Sequence, residues 1–522
     1  MIQKFGFDFN DAYVSFAGLE FAFRITTFEN VYGLDPDLTT LSAGKDSLAM
    51  EAHGLRYAGG QRRHAGTVMA EMRQEGRTIT FQCSGSHTGD IKGITILIRG
   101  LAAAVAADDE NIFQWPSTDL NADSFPRIKT PNGRSTILPQ STSANTRRWS
   151  VYREYSGHHV VNITEDNRYT DPSRIMEGTV WRLNLKSEID DPRTAWYDML
   201  ELERGLKPWA ERTDVPEWFQ DVALVLNMHC EGWTGYVFNT FDRQLEILRW
   251  MSERIDGKRV LVYLPGWDGR YYWNYPLYEP SEACGGADGL KRLVSGAHEL
   301  GMHVVPMFGV IASNYIHTRE LGLEDTACRT AYGLPEICNW TEWDEDLSPE
   351  PIWQSLNVGA LKFRRHLLSR ITGTTNMFGT DGAMLDISGW APRDPGHSLL
   401  DGLKDLIGSL HERYEDYLIF GENGCDLHMP FIPLFQHGAH LPSDHPFHRY
   451  CRSAYHLYCG APGNGSTGVF ESGYNHYVPP KSDIPAIPTL AIVQDTLPSY
   501  EQEVEEALET ARRWAERWLL YG

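Results

Sequence analysis

The sequence predicts an α/β protein in which an N-terminal β-sandwich precedes a (β/α)8 TIM barrel. Three observations carry this. Residues 1–185 hold short runs rich in β-branched and aromatic residues, separated by turn signals. From residue 221 the runs become continuously apolar, as strands covered on both faces should be, and they alternate with amphipathic helical stretches. Two of these runs, Gly382-Ala-Met-Leu-Asp-Ile-Ser-Gly-Trp390 and Tyr417-Leu-Ile-Phe-Gly-Glu-Asn-Gly424, each end in one carboxylate.

In the first part, strands are expected at 78–83, 93–99, 149–153 and 179–184. Turns are expected at Gly59-Gly60, Pro131-Asn-Gly133 and Asp171-Pro172. Residues 186–220 carry a helical pattern ending at Pro216-Glu-Trp-Phe and read as a connector between domains. The boundaries are therefore 1–185, 186–220 and 221–522.

The barrel opens with the apolar run 222–229. A helix follows at 241–255, with Phe241, Leu245, Leu248 and Met251 at helical spacing. Strands at 259–264 and 302–308 flank a helix at 287–300. A longer insertion, 315–350, and a helix at 355–371 lead to the two carboxylate-ending strands, which flank a helix at 398–415. Strands at 431–436, near 467–471 and at 488–493 complete eight. The final helix, 499–520, starts with Ser499 as N-cap and acidic residues from Glu501 to Glu506 near its positive end.

Composition narrows the function. At 522 residues the chain needs more than one core. A net charge of −23 opposes a nucleic-acid partner, because phosphates are repelled. No apolar stretch is long enough to span a bilayer, and the N-terminus lacks the apolar segment of a secretory signal. Eight scattered cysteines form no C-x-x-C pair, which suits reduced thiols and a cytoplasmic location. Most of the 16 Trp and 24 Tyr are expected in the core, and flat aromatic faces also bind sugar rings. A homo-oligomer stays open.

Asp386 and Glu422 end neighbouring parallel strands, at the edge where barrel enzymes build their sites. An acidic strand end is often only a cap or loop acceptor. Two on consecutive strands fit retaining glycoside hydrolysis, which needs a nucleophile and an acid/base roughly 5–5.5 Å apart. Asp386 would attack and Glu422 would protonate the leaving oxygen.

The run Tyr275-Pro-Leu-Tyr-Glu-Pro280, then Gly285-Gly-Ala-Asp-Gly-Leu-Lys-Arg-Leu-Val294 and Gly301-Met-His-Val-Val-Pro306, resembles the second-to-third-strand region of α-amylase-like and α-galactosidase-like barrels. The resemblance covers roughly residues 220–440. It implies an Asp nucleophile on the fourth strand and a Glu acid/base on the fifth, the order of Asp386 and Glu422, and favours an α-linked sugar. The endo-α-N-acetylgalactosaminidases share this layout and also place a β-sandwich first. The chain departs from the amylases at Met384, where they place an arginine, and lacks their Asn-His-Asp motif. The sixth strand, where α-galactosidase-like enzymes carry the acid/base, ends here at Gln436 and His437 without a carboxylate.

Other candidates follow the strand ends. His229 and Trp233 follow the first strand. Trp267, Asp268, Arg270 and Tyr272 lie in the aromatic run after the second. Asn314 follows the third, Trp390 the fourth and Asn423 the fifth, and Gln436 and His437 end the sixth. Each is expected to touch a carbohydrate substrate, with burial as a satisfied core residue as the plain alternative. The stretch holding His428, His437, His440, His445 and His448 raises metal binding, but matches no HExxH signature. No cofactor or metal is expected. Two rival readings are kept: a metal-dependent barrel hydrolase or lyase using residues 428–448, and a non-catalytic carbohydrate-binding protein.

Overall fold

The structure is a computed structural model. It describes residues 2–4, 11–101, 113–115, 127–130, 133–143, 147–153, 157–167, 173–187, 192–232, 235–270, 272–329, 333–338, 353–389, 394, 396–422, 424–437, 441, 443–455, 481–492 and 501–519. The described chain divides into two compact units that meet in sequence at Gly205 and Leu206.

In the first unit, 17 strands form one connected antiparallel system. Its spine is the 22-residue strand Thr78–Arg99, which pairs with Leu19–Thr27, Gly66–Glu75, His159–Asp166, Ser173–Glu177 and Trp181–Ser187. The sequence predicts two strands here with a turn between them. The intervening Ser-Gly-Ser-His-Thr-Gly-Asp is small and polar, so it reads as a turn. Its backbone is nevertheless paired, and the register shifts between Ser86 and Ile91, as a bulge requires. Helix Pro192–Arg204 closes this unit in sequence.

The second unit is built on eight parallel strands: β1 (Leu224–Asn227), β2 (Val260–Leu264), β3 (His303–Gly309), β4 (Gly382–Asp386), β5 (Leu418–Glu422), β6 (Leu434–His437), β7 (Arg452–Tyr455) and β8 (Thr489–Ala491). They neighbour one another in chain order, and β8 pairs back onto β1. The remaining gap is bridged by the Ala454–Ile487 pair, where the Ile487 N–H donates to Ser453 O at 2.7 Å. This is a nearly closed (β/α)8-type barrel, and with the antiparallel unit before it the fold class matches the expectation.

The seventh strand differs from the expected one. Residues 467–471 lie outside the described residues, and Arg-Ser-Ala-Tyr takes the place between β6 and β8. Four residues opening on an arginine carry no apolar run, so the strand is set by its neighbours rather than by its own pattern. Ser499 also lies outside the described residues; the last helix is Glu501–Trp518.

Helix Phe241–Ser252 follows β1, capped by the Thr240 hydroxyl accepting the Arg243 N–H, and buries Phe241, Leu245, Leu248 and Met251. Helices Gly286–Glu299, Leu361–Phe378 and Leu399–His411 follow β2, precede β4 and link β4 to β5. The insertion after β3 carries a three-stranded antiparallel sheet, Ala312–Asn314, Ile337–Cys338 and Trp353–Ser355. Among the described residues, six cysteines are free and buried, and no helix is long and apolar enough to cross a membrane.

At the other end of the barrel, Asp381 precedes β4 and gathers His298 (2.9 Å), His303 (3.2 Å) and the Val304 N–H (2.7 Å). The hydrogen bond to Asp381 outweighs partial burial and raises the His298 pKa above its ordinary value. A raised folded-state pKa contributes stability that is complete below the unfolded value near 6.5 and is lost as pH rises through the folded value. The melting-temperature gap between wild type and Asp381→Asn should therefore be wider at pH 6 than at pH 9. A gap that widens with pH would contradict this.

Candidate active site

The site grows from β4 and β5. Gly382 lets them approach, since a Cβ there would sit 2.3 Å from Leu418 O. Leu385 pairs with Gly421, so Asp386 and Glu422 follow side by side on strands roughly 4.8 Å apart. Both point inward. Two residues earlier, on the same face of each strand, Met384 and Phe420 meet Tyr263 inside the barrel: its hydroxyl lies 3.7 Å from Met384 Sδ and its ring 5.6 Å from Phe420. Tyr263 also donates to Met307 Sδ at 3.0 Å. Together they form a floor of thioethers and rings under the two carboxyls. Met384 is one of these floor side chains.

Glu422 is tied to the loop after Asp386. The Ile387 N–H donates to Glu422 Oε2 at 2.6 Å. The Ser388 hydroxyl accepts the Glu422 N–H at 2.9 Å and donates to Glu422 O at 3.1 Å, and the Gly389 N–H donates to the same carbonyl. Ile387 has φ 58, which a β-branched residue rarely adopts. Tyr272 (φ 67) and Tyr278 (φ 51) are likewise left-handed. Backbone strain of this kind costs about 1–3 kcal/mol per residue and persists where surrounding contacts enforce it, often at functional sites. Because a backbone N–H can only donate, Glu422 Oε2 is the acceptor in this contact.

Asp386 receives the Tyr275 hydroxyl on Oδ2 at 3.3 Å. Tyr275 is fully buried and lies against Gly309 at the end of β3. A Cβ at Gly309 would come within 2.2 Å of its ring. Tyr278 donates its hydroxyl to Gly309 O, and the Asn314 N–H donates to Tyr275 O at 3.0 Å. Burial, then the charges of Asp386 and Asp268, push the Tyr275 hydroxyl well above its ordinary pKa, so it stays a donor.

Asp268 is 3% exposed, as is Asp386, and Glu422 is 6% exposed. Neither Asp268 carboxyl oxygen has a hydrogen-bond partner among the described residues. Burial raises its pKa well above the carboxylate range, and the Glu231 charge adds to the rise. Glu231 in turn accepts the Ser281 hydroxyl at 2.7 Å.

The other expected residues separate. Trp267 is fully buried, with its indole N–H on Met307 O at 2.7 Å and its ring edge-on to Phe308. Its faces are enclosed by protein, so it anchors the β2 loop. Asn314 caps helix Tyr315–Glu320 and donates to Trp273 O. Arg270 lies over the Trp273 ring at 4.4 Å. Tyr272 packs between Tyr275 and Trp353. His229 is buried beside Phe238. Gln436 pairs in register with Glu422, and its buried Oε1 has no partner among the described residues. His437 ends β6; its side chain, and the whole of Trp233, Trp390 and Asn423, lie outside the described residues.

Sequence reasoning missed Tyr275, Ile387 and Ser388. Tyr275 stood at the end of a run already marked as aromatic, but nothing in the run separates it from its neighbours. In the histidine-rich stretch, burial pushes His428 down to about 4, and His445 caps a turn by accepting the Phe447 N–H. Among the described residues, no group of three or more His, Cys, Asp or Glu is placed to hold a metal ion.

No family model matches the chain, and no curated protein matches it in sequence. Its fold is that of solved glycoside hydrolase barrels. It is similar to ligand-free α-N-acetylgalactosaminidase NagBb from Bifidobacterium bifidum, with a TM-score of 0.60, 13% identity, and coverage of 97% of this chain and 93% of that one. A quadruple mutant of NagBb gives a TM-score of 0.62 at 11% identity, again covering 97% and 93%. A GH31 family sulfoquinovosidase from E. rectale gives 0.50 at 10%, covering 98% and 82%.

Proposed function

We propose that the chain is a retaining glycoside hydrolase acting on an α-linked sugar. The observation that carries this is the placement of Asp386 and Glu422 on adjacent strand ends, with Glu422 held through the residue that follows Asp386. Asp386 attacks the anomeric carbon while Glu422 delivers a proton to the departing oxygen. Once the glycosyl–enzyme bond forms, the Asp386 charge is gone and Glu422 takes a proton from water. Oε2 stays bound to the Ile387 N–H throughout. The α-anomer is supported by the resemblance to α-amylase-like barrels and by the substrate in the name of the similar NagBb structures, which makes an α-N-acetylgalactosaminide the first glycoside to try.

The test is hydrolysis of a panel of aryl α- and β-glycosides, with the anomer of the first-formed product read by NMR. Retention on an α-glycoside supports the reading; inversion excludes the double displacement. No turnover on any member would favour a binding protein.

Asp268 serves as a sugar-hydroxyl ligand in this reading. It is a buried carboxyl with unmet hydrogen-bonding capacity, carried on the loop that brings Tyr275 to Asp386. Asp268→Ala should lower kcat/KM by roughly 2- to 12-fold, about 0.5–1.5 kcal/mol, the range for a hydrogen bond to a neutral group, since burial keeps this carboxyl protonated. Unchanged kinetics in a normally folded variant would assign the loop to structure alone.

A further inference from the structure

We infer that Tyr275 is the positioning residue for Asp386, seated by Gly309 so that its hydroxyl holds one oxygen of the attacking carboxylate. This rests on the proposed role of Asp386 and goes beyond it.

The geometry is specific. Tyr275 reaches Asp386 from the loop after β2, across 111 residues of sequence. Its ring occupies the space that a side chain at residue 309 would fill. Tyr272 and Tyr278 flank it, with ring centroids 5.4 and 5.2 Å away. The Tyr278 hydroxyl and the Asn314 N–H pin the same corner through Gly309 O and Tyr275 O. Every one of these contacts fixes where the Tyr275 hydroxyl points, and it points at Oδ2. The hydrogen bond spans 3.3 Å.

The consequence is twofold. An O–H donated to a carboxylate favours the ionised form, which the nucleophile must have. It also holds the carboxylate in one rotation, so the attacking geometry is set before substrate arrives.

The test uses the full-length protein and the Tyr275→Phe variant. The variant keeps the ring and deletes only the hydroxyl. Its kcat/KM should fall roughly tenfold or more, with the acidic limb of the pH–rate profile displaced to higher pH by about one unit, the equivalent of losing one charge-assisted hydrogen bond. A merely structural role would not move that limb. Gly309→Ala should shift the limb in the same direction by pushing the ring off Asp386.

The titration can also be read without turnover. Carbon-13 NMR of aspartate-labelled protein, with Asp386→Asn to assign the resonance, should show Asp386 titrating about one unit higher in Tyr275→Phe. If that titration does not move, Tyr275 is only packing, whatever the activity. If it moves in a protein that hydrolyses no glycoside, the positioning contact stands and the glycosidase reading falls.

Discussion

Replacing Asp386 with Asn should abolish turnover while leaving ligand binding nearly intact. The amide keeps the size and shape of the side chain and can still accept the Tyr275 hydroxyl, but it cannot attack an anomeric carbon. The loss should reach at least about four orders of magnitude in kcat, roughly 5 kcal/mol of transition-state stabilisation, with little change in the affinity for an unreactive sugar measured by calorimetry. The melting temperature should hold or rise, because Asp386 is 3% exposed and the substitution removes a buried charge. A variant that keeps more than a few per cent of wild-type kcat would remove Asp386 from the role of nucleophile.

The parts of this molecule that were legible in the sequence are those set locally. Asp386 and Glu422 each follow a continuous apolar run, and such a run in a parallel barrel has to be a strand, so the carboxylates had to fall at strand ends. Helices Phe241–Ser252 and Leu399–His411 announce themselves by spacing and by Thr240 and Ser398 at their N-caps. What could not be read depends on distant partners. Arg452–Tyr455 is a strand because β6 offers it a free edge. The centre of Thr78–Arg99 is extended because Ser173–Glu177 pairs with it. Tyr275 matters because Gly309, on another strand, leaves room for its ring. Ile387 is the sharpest case: local preference opposes a left-handed isoleucine, and the contacts of its loop with Glu422 enforce one. Trp267 was expected to present a face to sugar, but its indole N–H is claimed by Met307 O, a bond that no spacing rule foretells.

The two carboxyls of the site are held in different ways, and this bears on how they divide the work. Asp386 is approached by a side chain hydroxyl from another loop, Glu422 by a backbone N–H of the loop that Asp386 itself begins. A backbone N–H survives every substitution of its residue except proline, and it cannot accept a proton. In the proposed mechanism this holds one Glu422 oxygen in place while the residue serves first as acid and then as base.

Glu422→Gln removes the acidic proton while keeping the Ile387 contact, since the amide oxygen can still accept at the position of Oε2. The cost should therefore depend on the leaving group. General acid catalysis contributes about 10²- to 10⁴-fold where the departing oxygen is a poor leaving group, and far less where an activated aryl oxide departs without help. Alkyl glycosides and natural oligosaccharides should lose activity across that range, whereas a dinitrophenyl glycoside should form the glycosyl–enzyme at close to the wild-type rate. Its release should then be slow, because the same side chain can no longer deprotonate water, so the glycosyl–enzyme should accumulate as a burst of aryl product. Added azide, a nucleophile that needs no base, should restore steady-state turnover and give a glycosyl azide of retained configuration. Equal losses on activated and unactivated substrates, with no burst and no rescue, would mean that Glu422 holds substrate rather than moves a proton.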